Sequence, residues 1–207
     1  MNSLPLGVAW MGAYLLGAVP FGLLIGRGLG NDPRRHGSGN IGATNVARAS
    51  GWGAGALTLA LDAAKGVAAV WASAAWCADP AAPAGAAAAA VCGHAFPIYL
   101  RFKGGKGVAT AAGAFAMLSP WATLASGGVF LILVIASRYV SLGSVGAAVT
   151  LPAFTAWLSP GSMRVEAAAL CALIVLLRHR ENLQRLGAGV ENRIGGARNR
   201  PDRSPTG

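Results

Sequence analysis

VATAAGAFAMLSPWATLASGGVFLILVIAS, residues 108–137, determines how many times this chain can cross a membrane. A helix crossing roughly 30 Å of hydrocarbon needs about 20 apolar residues. This run is too long for one crossing and too short for two full ones. Ser119-Pro120, near its middle, is a turn signal, and it predicts a hairpin of two short helices rather than one long helix. The choice changes the parity of the whole chain.

Working outward, apolar segments fall at about 4–30, 52–77, 82–101, 106–119, 121–138, 141–158 and 162–178. With seven helices and the N-terminus outside, 15 of the 17 basic residues lie on one side, including the seven arginines from Arg178 onward. Only Arg164 falls on the other side, and Lys65 lies within a helix. That asymmetry is what the positive-inside rule asks for. A single helix over 108–137 would send the Arg-rich C-terminal region outside. The expected architecture is therefore an all-α integral membrane protein of seven transmembrane helices, some short, with N-terminus outside and C-terminus cytoplasmic. Residues 1–194 form the membrane domain, and 195–207 read as a disordered basic cytoplasmic tail.

Composition supports a membrane chain and excludes a soluble domain. Hydrophobic residues make up 54% and charged residues 12%, against about a quarter charged in an average soluble chain. The net charge of +10 does not form a stripe along one element. Cations cluster at the ends of apolar runs, so nucleic acid is not the expected partner. Cys77, Cys92 and Cys171 lack metal-ligand spacing and read as small apolar fillers. The first apolar run has neither a basic leader nor an A-x-A site and reads as a retained helix.

Three polar blocks interrupt the apolar runs, all on the basic side. The first runs from Gly37 to Arg48 (GSGNIGATNVAR). Its glycines, Gly39 among them, let a ligand approach main-chain N–H groups. Ser38, Asn40, Thr44 and Asn45 add side-chain donors, and Arg48 offers a fork for phosphate. A capped helix start in a tight turn would use the same residue types. The second block holds Gly93-His94 and Pro97, then Phe102 to Thr110 (FKGGKGVAT). Gly104, Gly105 and Gly107 lead into a helix N-terminus, whose free N–H groups and dipole suit phosphate, with Lys106 as a point charge. A methyl at Gly104 or Gly105 is expected to weaken binding of a phosphate substrate. The spacing is not that of a Walker A loop, and a positively charged anchor with a flexible turn is the plainer alternative. The third block is Arg178 to Leu186 (RHRENLQRL). His179 and Asn182 are three apart and are expected on one helical face; a surface histidine in a basic segment fits equally. Glu191 is expected to tie the tail to a loop arginine, and Asp62 with Lys65 to form an internal ion pair. His94 reads as site-shaping or structural.

Together, GSGNxGATNxxR, GHxFP with FxGGKGVAT, and RHxxNLxRLxxGxE resemble the three motifs of the PlsY family, the bacterial acyl-phosphate:glycerol-3-phosphate acyltransferases. The likeness runs in order and spacing from Met1 to about Ile194, with Leu183 standing where relatives often carry another aliphatic. It implies an inner-membrane enzyme whose active site faces the cytoplasm. The implied reaction moves an acyl chain from acyl-phosphate to the 1-hydroxyl of glycerol 3-phosphate, giving lysophosphatidic acid and phosphate, the first step of phospholipid synthesis. By that resemblance Ser38, Arg48, Lys106, His179 and Asn182 are the catalytic residues.

The residue chemistry agrees. Acyl-phosphate is an activated mixed anhydride, so the protein needs to orient, neutralise charge and assist loss of a proton rather than supply a nucleophile. The His-x4-Asp signature of thioester-using glycerolipid acyltransferases is absent, since Ile41, Tyr99 and Gln184 stand where Asp would follow each histidine. The seven acidic residues are scattered, so neither a metal nor another cofactor is expected. The alternative from another class is a small membrane transporter or flippase of a phosphate-bearing substrate. It would place polar groups at mid-membrane and often shows inverted repeats, whereas here the polar groups gather at one face and no repeat is evident.

Overall fold

The computed structural model describes residues 3–160 and 162–195. Among these the chain is all-helical: α1 Leu6–Ala18, α2 Phe21–Gly28, α3 Ala43–Ser50, α4 Trp52–Trp76, α5 Ala82–Ala95, α6 Val108–Leu118, α7 Pro120–Ser137, α8 Val140–Leu158, α9 Met163–Arg178 and α10 Arg180–Gly187. Short 3-10 turns occupy Pro33–Arg35 and Ile98–Leu100. Five stretches are long and apolar enough to cross a membrane: Leu6–Gly28, Trp52–Trp76, Ala82–Leu100, Pro120–Ser137 and Val140–Leu158. The tail expected from 195 onward lies, but for Gly195, outside the described residues.

The decisive run does break at Ser119. Pro120 takes the first turn of α7, where its missing N–H costs nothing. The break leaves an 11-residue α6 and an 18-residue α7, so only one arm of the hairpin is short.

The first apolar segment departs from its reading as one helix. It breaks at Val19-Pro20 into α1 and α2, because proline removes an N–H and crowds the preceding turn. A carbonyl freed inside hydrocarbon needs a donor. The Phe21 N–H donates to the Val19 carbonyl at 3.1 Å, and Lys65 adds a second bond, its Nζ donating at 2.9 Å. The same ammonium lies 2.9 Å from Asp62 Oδ1, both side chains being buried. The expected ion pair therefore also mends the break in the first span.

α5 is the centre of the bundle, with α1, α4, α6 and α9 packed around it. Its alanines are the reason: Ala86, Ala87, Ala90 and Ala95 are fully buried, and small residues let backbones approach where lipid offers no hydrophobic drive between helices. Gly17 lies against the Ala90 backbone, Gly93 against Tyr14, and Gly66 of α4 against Thr110 of α6. Across the bundle α7 pairs with α8 and α8 with α9. The outward faces carry exposed Leu, Ile and Trp, with Trp52, Trp76, Trp121 and Trp157 at helix ends, as in the aromatic belts of membrane proteins.

Candidate active site

The polar blocks converge at one end of the bundle. Block one is a loop closed by a single side chain. Asn45, buried at 2% exposure, donates through Nδ2 to the carbonyls of Pro33, His36 and Asn40 at 2.8, 3.0 and 2.8 Å. Its Oδ1 accepts from the Ser38 N–H at 2.9 Å. Asn45 spends its polar atoms on shaping the loop. Asn40 likewise caps Gly42 N–H at 2.8 Å. Gly37 and Gly39 adopt positive φ of 55° and 69°, a conformation that side chains resist. The result presents Ser38 and Thr44 at the start of α3, with Arg48 in its last turn.

Block two is latched from behind. Arg178 donates from Nη2 to the Gly104 carbonyl at 2.7 Å and from Nε to the Gly105 carbonyl at 3.0 Å. The Gly105 N–H donates to the His94 carbonyl at 3.0 Å. Both glycines are buried, and a Cβ would strike the His94 carbonyl and Pro97 at Gly104, or the His94 imidazole at Gly105. Gly104 and Gly105 therefore pack against the end of α5, not against open space where phosphate would sit. Gly107, at φ 83°, turns the chain into α6 and does line the central cavity described below.

Block three differs from its reading as one helical face. His179 occupies the break between α9 and α10, with Asn182 on α10. Both are nonetheless buried, at 2% and 5% exposure. His179 Nδ1 donates to the Val175 carbonyl at 2.8 Å, which leaves Nε2 as the lone-pair nitrogen. Burial, with the charge of Lys106 second, pushes its pKa down to about 4. Lys106 Nζ donates to Asn182 Oδ1 at 2.5 Å, and burial pushes the ammonium down to about 8.

Glu191 completes the cluster. Its Oε1 accepts from Asn182 Nδ2 at 2.6 Å and from Ser141 Oγ at 3.0 Å, and Oε2 from Arg185 Nε at 2.7 Å. These donors hold its carboxylate below the usual range against the opposing effect of burial. The arginine it binds is on α10, not on a loop. Burial lowers Arg48, and the Glu191 charge opposes that shift.

These groups ring the mouth of a cavity of about 370 Å³. Ser38, Asn40, Thr44, Arg48, Lys106, His179, Asn182 and Glu191 line it together with Asp62, His94, Thr123, Ser126, Ser141 and Ser144; Phe130, Ala148, Leu151, Ala172 and Val175 are among its apolar lining. The N-terminal residues of α3 and of α6 both face it. A smaller polar annex of about 70 Å³ shares Ser38, Asn40, Lys106 and Asn182 and adds Arg178, Arg180 and Arg185. Gly39, Gly104 and Gly105 line neither space. Among the described residues no group of three or more His, Cys, Asp or Glu could hold a metal ion.

A mouth of cations and amides opening into an apolar arm has close counterparts. Residues 7–189 match the family model described as glycerol-3-phosphate acyltransferase. The chain belongs to that family. The glycerol-3-phosphate acyltransferase of Trichlorobacter lovleyi is 46% identical over 191 residues, 91% of this chain and 97% of the relative. That of Syntrophotalea carbinolica is 48% identical over 186 residues, 89% and 95%. The crystal structure of PlsY (YgiH), an integral membrane glycerol 3-phosphate acyltransferase, in its glycerol 3-phosphate form superposes with a TM-score of 0.87 at 38% identity, covering 92% of this chain and 96% of that one. Its lysophosphatidic acid form gives 0.84, also at 38% identity, covering 92% and 95%. The present chain is thus an integral membrane acyltransferase of phospholipid synthesis.

Sequence reasoning placed His179, Asn182, Lys106, Arg48 and Ser38 as site residues, and the fold brings all five to one cavity. It did not assign Ser141, Arg178 or Arg185 a part. The one available signal was Gly189-Val190-Glu191, one of the few carboxylates in a strongly basic segment.

Proposed function

We propose that this acyltransferase moves an acyl group from acyl-phosphate to the 1-hydroxyl of glycerol 3-phosphate. The acyl chain lies in the apolar arm, and glycerol 3-phosphate enters the polar annex. The observation that carries this reading is the adjacency of the two spaces, which share Ser38, Asn40, Lys106 and Asn182 as common walls. A lipid-borne acyl donor and a water-borne phosphate ester meet at those residues.

In this reading the hydroxyl oxygen attacks the acyl carbonyl carbon, the carbonyl–phosphate C–O bond breaks, and inorganic phosphate leaves with the electron pair. Lys106, Arg48 and the N–H groups at the starts of α3 and α6 offset the phosphate charge. Ser38 hydrogen-bonds the reacting groups at the mouth. His179 orients the hydroxyl through Nε2. With a pKa near 4, it is a weaker base than the departing phosphate, which takes the proton.

The seven-span topology belongs to the same proposal: α1 with α2, then α4 to α9, each crossing once. It puts the polar mouth and 15 of 17 cations on the cytoplasmic side of a bacterial inner membrane. The test is purified protein in lipid with acyl-phosphate and glycerol 3-phosphate, assayed for phosphate and lysophosphatidic acid. Formation of both is expected, with acyl-CoA and acyl carrier protein inert as donors. Comparable turnover with acyl-CoA would overturn the donor assignment.

A further inference from the structure

We propose that Gly127, in the middle of α7, sets the length of acyl chain the enzyme accepts by leaving open the space that distal methylenes fill. The inference rests on the acyl-phosphate reading above. Gly127 and Gly128 stand side by side within an 18-residue helix, where each is costly relative to alanine. Several glycines of the bundle have a steric reason to be there, whereas Gly7, Gly12 and Gly53, like the α7 pair, face open space but do not line the cavity. A Cβ at Gly66 would meet the Thr110 carbonyl, at Gly113 the Ala63 carbonyl, and at Gly143 the Phe130 carbonyl and Val134. At Gly127 and Gly128 a Cβ would meet nothing within 4 Å. Packing within the chain therefore demands neither glycine, and only Gly127 lines the cavity.

A second observation marks the same wall. Ser126 also lines the cavity, is 4% exposed, and its hydroxyl has no hydrogen-bond partner among the described residues. Thr123 and Phe130 complete this face of α7 at helical spacing. Two small residues side by side, Ser126 and Gly127, leave this wall of the cavity without bulk.

Depth assigns the part of the occupant that lies there. α8 lines the cavity from Ser141, which is bonded to Glu191 at the mouth, to Leu151 at the far end. That length of helix rises roughly 15 Å. α7 runs antiparallel to it, with Gly143 against Phe130 and Gly146 against Leu133 and Val129, so Gly127 falls between the levels of Ala148 and Leu151. A short acyl chain anchored at the mouth ends before Gly127, and a long one passes it.

The experiment compares the full-length wild type with Gly127→Leu and Gly128→Leu in the same lipid, using octanoyl-, lauroyl- and palmitoyl-phosphate. Gly127→Leu is expected to lower the palmitoyl-to-octanoyl ratio of kcat/KM on the order of tenfold or more, the discrimination one or two misplaced methylenes give. Gly128→Leu, facing away from the cavity, is expected to leave that ratio unchanged. An unaltered ratio in folded Gly127→Leu, or equal loss at every chain length, would overturn the inference. Should leucine at 127 prevent folding, Gly127→Ala and Gly127→Val are read in the same way, and unchanged ratios in both overturn it. Wild type that uses no acyl-phosphate refutes the donor reading instead, so the two failures are distinct.

Discussion

Lys106 and Asn182 are 76 residues apart in sequence and joined by one hydrogen bond, Nζ to Oδ1, at 2.5 Å. This bond ties the second polar block to the third. Because Asn182 passes its amide on to Glu191 at 2.6 Å, the ammonium is aimed by a relay that ends in a carboxylate held by Arg185 and Ser141.

Breaking that relay should cost rate more than fold. Glu191→Gln removes the charge that holds Asn182 and Arg185, and Asn182→Ala removes the partner of Lys106. Each is expected to lower kcat by about 10²–10³, the usual cost of one preorganised electrostatic contact. Phosphate release measured beside a thermal melt checks this, and near wild-type turnover in folded Asn182→Ala would remove the relay from catalysis.

The pH profile should have one limb. The hydroxyl-orienting role needs neutral His179, which with a pKa near 4 is already neutral throughout pH 5–8. No acid limb near the ordinary histidine value of about 6.5 is expected. Lys106 is cationic below about 8, so kcat/KM of the free enzyme should fall as pH rises through that value. Lys106→Arg should move the limb upward. The same lowered histidine value has a stability consequence: its contribution is complete above about 6.5 and is lost as pH falls toward 4.

Gly104→Ala and Gly105→Ala should fail by unfolding the loop rather than by repelling phosphate. The added methyl meets the His94 carbonyl and Pro97 or the His94 ring, and overpacking of this kind typically costs about 1–3 kcal/mol. A lowered melting temperature is expected, together with loss of kcat. An intact melt with only a raised KM for glycerol 3-phosphate would return these glycines to the binding surface.

Chelation should leave activity intact. Phosphate charge in this mechanism is met by Arg48, Lys106 and helix N-termini, all present in the chain itself. Loss of turnover on exhaustive chelation, restored by Mg²⁺, would contradict it.

Much of this was legible because membrane chains write their architecture in runs. Apolar length and the Ser119-Pro120 break located α6 and α7, and the motif residues of three loops anticipated the cavity mouth. What was not legible depends on contacts across the chain. The run 4–30 reads as one unbroken segment, and neither its break at Val19-Pro20 nor the Lys65 bond to the Val19 carbonyl shows in it. Gly104 and Gly105 look like phosphate glycines until Arg178 and His94 are found behind them. Ser141 gives no sign of its role, since its partner Glu191 is 50 residues away.

In the proposed mechanism the late position of Asn182 and Glu191 also sets when catalysis can begin. A ribosome adds about 5–20 residues per second, so the 76 residues separating Lys106 from Asn182 take roughly 4–15 s to emerge. Within that interval α6 is made, and the ammonium has no aim. The nascent enzyme therefore enters the bilayer inert and becomes competent only once its last motif has been translated and folded back onto its second.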